Sequence, residues 1–207
     1  MGNVTIDMSM SLDGFIAGPN GSADQPLGDG GDRLHSWLYD LASWRERHGM
    51  EGGERDRDAE VLEESFKDIG AIVMGRNMFN HAEKEWGDNP PFRVPVFVVT
   101  HEESDPNIQR GDTNFTFVTD GFQKALAQAK SAAGDKNVSV AGGANIIQQM
   151  LTAGLVDEIQ VHIVPVLLGK GRRLFQYIGG QPVELERVRT VDSPCVSHLK
   201  YRVVKES

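Results

Sequence analysis

Cysteine is nearly missing from this 207-residue sequence: Cys195 stands alone, so no intrachain disulfide can form and the chain fits a reducing compartment. The thiol follows Pro194 at the start of an expected strand, which reads as an incidental or buried side chain rather than a nucleophile. An excess of positive charge is missing too. With 21 Lys and Arg against 30 Asp and Glu, the net charge is −9, which argues against nucleic acid as a partner. A small anionic ligand needs only a local basic patch, so it stays allowed. No apolar run approaches the ~20 residues of a membrane-spanning helix. The first residues, MGNVTIDMSMSLDG, show no basic segment followed by an apolar core, so no signal peptide, no membrane and a cytoplasmic location are expected. Also absent are a G-x-G-x-x-G fingerprint with its downstream acid, a P-loop, a G-x-S-x-G elbow and a zinc-type Cys/His cluster. An ordinary Rossmann domain and a metal site are therefore not expected. Internal repeats and low-complexity tracts are absent as well.

What is present reads as alternating strands and helices, an α/β pattern, in one domain over residues 1–207. Val4 to Met10 alternates as a half-buried strand, Asp13-Gly14 turns, and Phe15 to Ala17 returns as a short extended piece. Residues 22–58 are rich in Gly, Asp and Arg. Within them Leu34, Trp37, Leu38, Leu41 and Trp44 recur at helical spacing, predicting a helix over Arg33 to Arg47 capped by Asp32, then a mobile surface loop over Gly49 to Arg57. Ala59 to Lys67 follows as a helix and Ala71 to Met74 as a central strand. A further helix starts at Gly75. Val96 to Thr100 and Asn114 to Val118 read as strands, Gly121 to Ala133 as a helix, Asn137 to Ala141 as a strand, Ala144 to Ala153 as a helix and Glu158 to Leu168 as a strand. Gly171-Arg172-Arg173 reads as a flexible basic loop, solvated or meeting an anionic substrate. Val183 to Val191 and Val196 to Val204 predict a closing antiparallel pair.

Three strand ends carry the functional signal. At Gly142-Gly143, missing Cβ atoms let a ligand approach the backbone at the start of a helix, although two glycines can equally just make a tight turn. The second junction is Gly75-Arg76-Asn77-Met78, where a helix start and a full positive charge coincide. The third is Thr100-His101, at the end of an apolar strand. Strands of open α/β sheets present ligands at their carboxyl ends, so the three together predict a groove for a long, phosphate-bearing cofactor.

The wording of four stretches, SLDGFIA, VMGR, AGGANI and AGLVDE followed by PVLLGKG, resembles the dihydrofolate-reductase-like superfamily, most closely the reductase domain of the riboflavin-biosynthesis deaminase-reductase. The resemblance covers nearly the whole chain except residues 22–58, which look like an insertion, and a stand-alone reductase without a preceding deaminase domain is expected. It implies a three-layer α/β fold, with a mostly parallel twisted sheet, an antiparallel C-terminal strand pair and helices on both faces. It implies NADPH as cofactor, with Ser9, Ile16 and Ala17 at the nicotinamide, and Gly75, Arg76, Asn77 and Met78 at the phosphates. Thr100 and His101 would meet the 2′-phosphate, while Gly142, Gly143, Ala144, Asn145 and Ile146 would meet the pyrophosphate. It also implies a homodimer. Asp13 is the candidate for a proton-handling group, against a plain turn-capping role, and Trp37 the candidate to cover a flat substrate ring, against a packed core residue.

Two departures bear on the substrate. The Pro-Trp pair and helix carboxylate of dihydrofolate reductases have no clear counterpart, and Ala141 stands where riboflavin-type reductases carry a glutamate. The expected activity is hydride transfer from NADPH to a C=O or C=N group of a small, flat, polar substrate of ribosylaminopyrimidine or pterin type. A nucleotide-binding module without turnover, or a dimeric structural or regulatory protein, are the alternatives.

Overall fold

A computed structural model describes residues 2–102 and 107–205. The first strand, β1 (Val4–Ser11), shows why the sheet has two different faces. Val4, Ile6 and Met10 point into an apolar core, while Asp7 and Ser9 point the opposite way. Its neighbours are β7 (Asn137–Gly142) and β8 (Glu158–Val164), both parallel to it. Beyond β7 lie β3 (Ile69–Gly75), β4 (Val96–Val99) and β6 (Thr113–Val118), again parallel. Beyond β8 lie β11 (Ser197–Val203) and β10 (Leu185–Asp192), both antiparallel. With β5 (Asn107–Arg110) at the far edge, the order is β10-β11-β8-β1-β7-β3-β4-β6-β5. The expected fold class is the one observed.

Helices α4 (Phe122–Ala133) and α5 (Ala144–Thr152) cover the face bearing Val4 and Ile6, with Ala125, Ala129, Ile147 and Met150 fully buried. The opposite face carries two separate apolar clusters. One gathers Phe79 of α3 (Arg76–Trp86) with Ile72, Met74, Val98, Phe115 and Phe117. The other sets Leu34, Trp37, Leu38 and Leu41 of the inserted segment with Ala59 and Leu62 of α2 (Arg57–Lys67) over Val164 and Val196. Asp56 begins α2 as N-cap, its carboxylate accepting from the Ala59 N–H at 2.9 Å, a bond worth about 1 kcal/mol.

Four expectations are corrected. The helix over 33–47 is a 3₁₀ turn at Gly31–Leu34, irregular turns, and a short α1 (Ala42–Arg47). Leu41 is extended there, and the Ala42 N–H is taken by the Glu54 carbonyl at 2.9 Å, so the helical ladder cannot run through. The apolar spacing marked the residues that pack, not a helix, and Asp32 makes no cap bond. The loop expected at 49–57 is exposed but tied down, since Glu54 also donates its N–H to Asp40 at 2.7 Å. The strand from Glu158 ends at Val164 rather than Leu168. Finally, Arg172–Arg173 form a short strand, β9, antiparallel to β2 (Phe15–Ala17), with Arg173 lying 4.3 Å over the Phe15 ring. Strand β5 had no forecast in the sequence.

Candidate functional site

Strands β1 and β7 are paired only through Val4↔Val138, Thr5↔Ser139 and Ile6↔Val140, whereas β1 stays paired with β8 as far as Ser11↔Val164. From Asp7 onward, β1 and β7 part. The gap opens at the carboxyl rim, where β7 ends in Gly142, at φ +119, joined to Gly143 by a cis peptide. Gly75 ends the adjacent β3, and a Cβ there would lie 3.8 Å from the Gly143 nitrogen. A Cβ on Gly143 would meet nothing within 4 Å, while one on Gly142 would sit 3.4 Å from the Met78 sulfur and 3.8 Å from Met8 Cε. Helices α3 and α5 both start at this point with no side-chain cap bond, so their first N–H groups are free to meet an anion.

Arg76 is the first residue of α3. Its guanidinium lies 4.7 Å over Phe117 and 5.5 Å over Phe79, while Nε and Nη1 are buried with no hydrogen-bond partner among the described residues. Glu102 approaches Nε only to 3.9 Å, beyond a hydrogen bond. Two buried, unfilled guanidinium donors at a rim of bare glycine backbone suit a phosphate, so these residues fit an NADPH-type cofactor.

The rim thus brings together Gly75, Arg76, Met78, Gly142 and Gly143. Asn77 and His101 are exposed beside it. Thr100 is buried and its hydroxyl accepts from the Glu102 N–H at 3.0 Å, so it shapes the turn after β4. Ala144 and Ile146 are buried in the core and can offer only backbone, and exposed Asn145 accepts from Gln149 at 2.6 Å. Ile16 is buried in the main core, with Ala17 half-buried beside it. Ser9 faces away from the glycines: its hydroxyl accepts from Trp37 Nε1 at 3.1 Å.

Asp13 proves to be a loop tie. One carboxylate oxygen takes the Ser11 hydroxyl at 2.6 Å and the Leu168 N–H at 3.1 Å, and the other takes the Gly169 N–H at 2.7 Å. The Ser11 bond, joined by those backbone donors, holds its carboxyl below the usual range. This geometry is that of the turn-holding role. Trp37 is buried, its ring centroid 4.9 Å from that of His162 and 5.1 Å from that of His198, so protein side chains already meet it.

Beneath Trp37 runs a chain of titratable groups with no forecast in the sequence. Asp7 meets His162 Nε2 at 2.6 Å, the Nδ1 atoms of His162 and His198 meet at 2.5 Å, and His198 Nε2 meets Asp58 at 3.0 Å. Gln160 donates to Asp7 at 2.9 Å, and Ser193 donates to Asp58 at 2.8 Å. Burial works to raise Asp7, but the charge and hydrogen bond of His162 outweigh it and hold the carboxyl below its ordinary value. Burial pushes His198 down, against the pull of Asp58. A cavity of about 440 Å³ between Arg57, Glu60 and Arg189 lies instead at the β10 edge, four strands from the glycines.

Among known proteins, the chain is 25% identical over 195 residues to the uncharacterized protein YwjB of Bacillus subtilis (strain 168), covering 88% of this chain and 95% of that one. A solved structure from Shewanella sp. PV-4, named for riboflavin biosynthesis, matches with TM-score 0.69 at 21% identity, over 98% of this chain and 99% of that one. Dihydrofolate reductase from Enterococcus faecalis, solved with NADP(H), matches with TM-score 0.56 at 12% identity, over 98% and 97%. Both share their fold with this chain. Residues 3–197 match the model of the RibD C-terminal domain, and the chain belongs to that family.

Proposed function

We propose that this protein is an NADPH-dependent reductase that delivers hydride to a C=O or C=N group of a small, flat, polar substrate. The observation that carries this reading is Arg76, whose Nε and Nη1 are buried without hydrogen-bond partners among the described residues, on the rim where Gly75 and Gly143 expose bare backbone. A reduced nicotinamide, when bound, supplies the hydride. The chain's own part is to bind and orient. The first turns of α3 and α5 offer N–H groups to phosphates, Arg76 adds a full charge, and Met8 and Met78 flank the gap between β1 and β7. The family resemblance favours a ribosylaminopyrimidine or pterin type of substrate. The free β10 edge, with Leu185 and Val188 exposed, favours pairing into a homodimer.

A nucleotide-binding module without turnover is the second reading, favoured by Asp13 having its oxygens occupied and by Ala141 in place of a glutamate. Titration with NADPH should quench tryptophan emission and raise the melting temperature, and Arg76→Ala should weaken binding at least tenfold. No quench and no shift would sink the nucleotide site. Loss of nicotinamide absorbance with a panel of pterins, aminopyrimidines and carbonyl compounds then separates enzyme from binder.

A further inference from the structure

The two apolar clusters on one face of the sheet leave a polar strip between α2 and α3, formed by Asp7 and Ser9 of β1 and Ser139 of β7. Burying such groups is costly unless each is hydrogen-bonded, as Ser9 is to Trp37 and Asp7 is to His162 and Gln160. Asp7 is the first β1 residue beyond the last β7 pair, so it stands where the strands part. Its side chain is 25% exposed, whereas those of His162, His198 and Asp58 are 3%, 3% and 7% exposed. The chain behind Asp7 is therefore sealed at three members and open at one.

Proton counting fixes its state. Each histidine sets Nε2 on a carboxylate, so turning either ring over would replace that hydrogen bond with a C–H contact. The Nδ1 atoms must then face each other, and two lone pairs at 2.5 Å would repel; a proton lies between them. Three contacts in line need three protons, and two neutral imidazoles bring only two. The third makes one ring an imidazolium. His162 is the ring that touches Asp7, at 2.6 Å, so a proton given up through Asp7 leaves by its Nε2.

We propose that Asp7 is the substrate-facing acid of this protein, binding the N–H edge of a flat nitrogen heterocycle between α2 and α3 and passing on a proton held by His162. The proposal rests on the reductase reading for its chemistry. In the reduction, the π pair of the substrate C=N or C=O moves onto the heteroatom. The new C–H bond takes its hydrogen and both electrons from a reduced nicotinamide, which is thereby oxidised. The heteroatom takes a proton from Asp7 as its O–H bond breaks, and Asp7 is supplied by the Nε2–H of His162. His162 keeps Nδ1–H on His198, so the network falls from three protons to two and from net −1 to −2. A bare Nε2 then faces a carboxylate, which drives uptake of a proton from solvent at the open end. Other charges around the chain are already matched: Arg189 by Glu64, and Lys200 by Glu158 at 2.9 Å. His35 is held neutral by burial and by the His162 charge.

Two measurements on the full chain test this. Proton NMR at neutral pH should show a far-downfield imidazole N–H that His198→Gln abolishes. Benzamidine, a flat amidinium that pairs with a carboxylate, should quench tryptophan emission, with affinity at least tenfold weaker in Asp7→Asn. Asp7→Asn should bind NADPH within about twofold of the wild type. If the variants do not fold, benzamidine must still shift the downfield proton of the wild type. Absence of that proton, or benzamidine binding that ignores Asp7 or leaves the proton unmoved, overturns the proposal. Failure of NADPH to bind overturns the reductase reading instead, and leaves the benzamidine result to judge Asp7 alone.

Discussion

Acid should loosen the inserted segment through His35, and the size of the effect can be worked out. His35 is half-buried just after the 3₁₀ turn; burial, then the charge on His162, lower its pKa from 6.5 to about 4, against a smaller opposing pull from Asp32. The unfolded chain therefore takes up a proton near pH 6.5 that the folded chain refuses until about pH 4. Stability from this group is intact above the unfolded pKa and is lost as pH falls. The full difference corresponds to roughly 3 kcal/mol, most of which is lost between pH 7.5 and 4.5. Partial exposure makes that an upper value. Urea unfolding of wild type and His35→Gln at both pH values isolates the effect, because other groups titrate alike in both proteins. The wild type should lose roughly 1–2 kcal/mol more than the variant across this range. Equal losses would refute a neutral, buried His35.

Gly143→Ala should leave the unfolding free energy within about 1 kcal/mol, since its Cβ meets no atom and its backbone is extended, yet weaken NADPH binding sharply by filling the cradle. Normal nucleotide affinity in that variant would remove the rim from the binding site. Glu102→Gln should tighten NADPH three- to tenfold and leave NADH nearly unchanged, because it removes a carboxylate 3.9 Å from the Arg76 guanidinium; isothermal titration with both nucleotides decides this. Asp13→Ala should cost about 1–3 kcal/mol by leaving the Leu168 and Gly169 N–H groups unmet. A pH–rate profile that changes with Asp13→Asn would instead restore it as a proton-handling group.

The glycine rim was legible because strand-end glycines followed by helical periodicity are local signals. Gly75-Arg76 and Gly142-Gly143 each announce a strand-to-helix junction within a few residues, and the parallel sheet then brings them to one edge. The acid–histidine chain was not legible for the opposite reason. Asp7, Asp58, His162 and His198 are far apart in sequence; Asp7, His162 and His198 sit in strands whose polar residues read as a wet face, and Asp58 closes the irregular segment 22–58. The signal lay in two strands at once: Asp7 and Ser9 on β1, and Gln160 and His162 on β8, put polar residues on the same face of two central strands. Central strands have no wet face when helices cover both sides. The inserted segment misled differently. Its i, i+3, i+4 spacing picked out Leu34, Trp37, Leu38 and Leu41 as buried, which they are, but a series of turns over a flat sheet can bury the same spacing as a helix.

The cost of that chain also predicts what happens when it is removed whole. A buried ion pair seldom stabilises more than well-packed apolar residues of similar volume, and its replacement is often neutral or favourable by about 1–4 kcal/mol. Breaking it singly is different: His198→Leu alone would leave Asp58 with only the Ser193 hydroxyl and unpair His162, at about 3–5 kcal/mol. Replacing Asp7, His162, His198 and Asp58 together by Val, Leu, Leu and Val would instead join the two apolar clusters across the strip, with Trp37 still packed above. The fourfold variant should therefore be at least as stable as wild type in urea, while losing benzamidine binding. If it unfolds more easily than the single variant, the four residues are there to hold the fold together, and a catalytic reason for their burial is no longer needed.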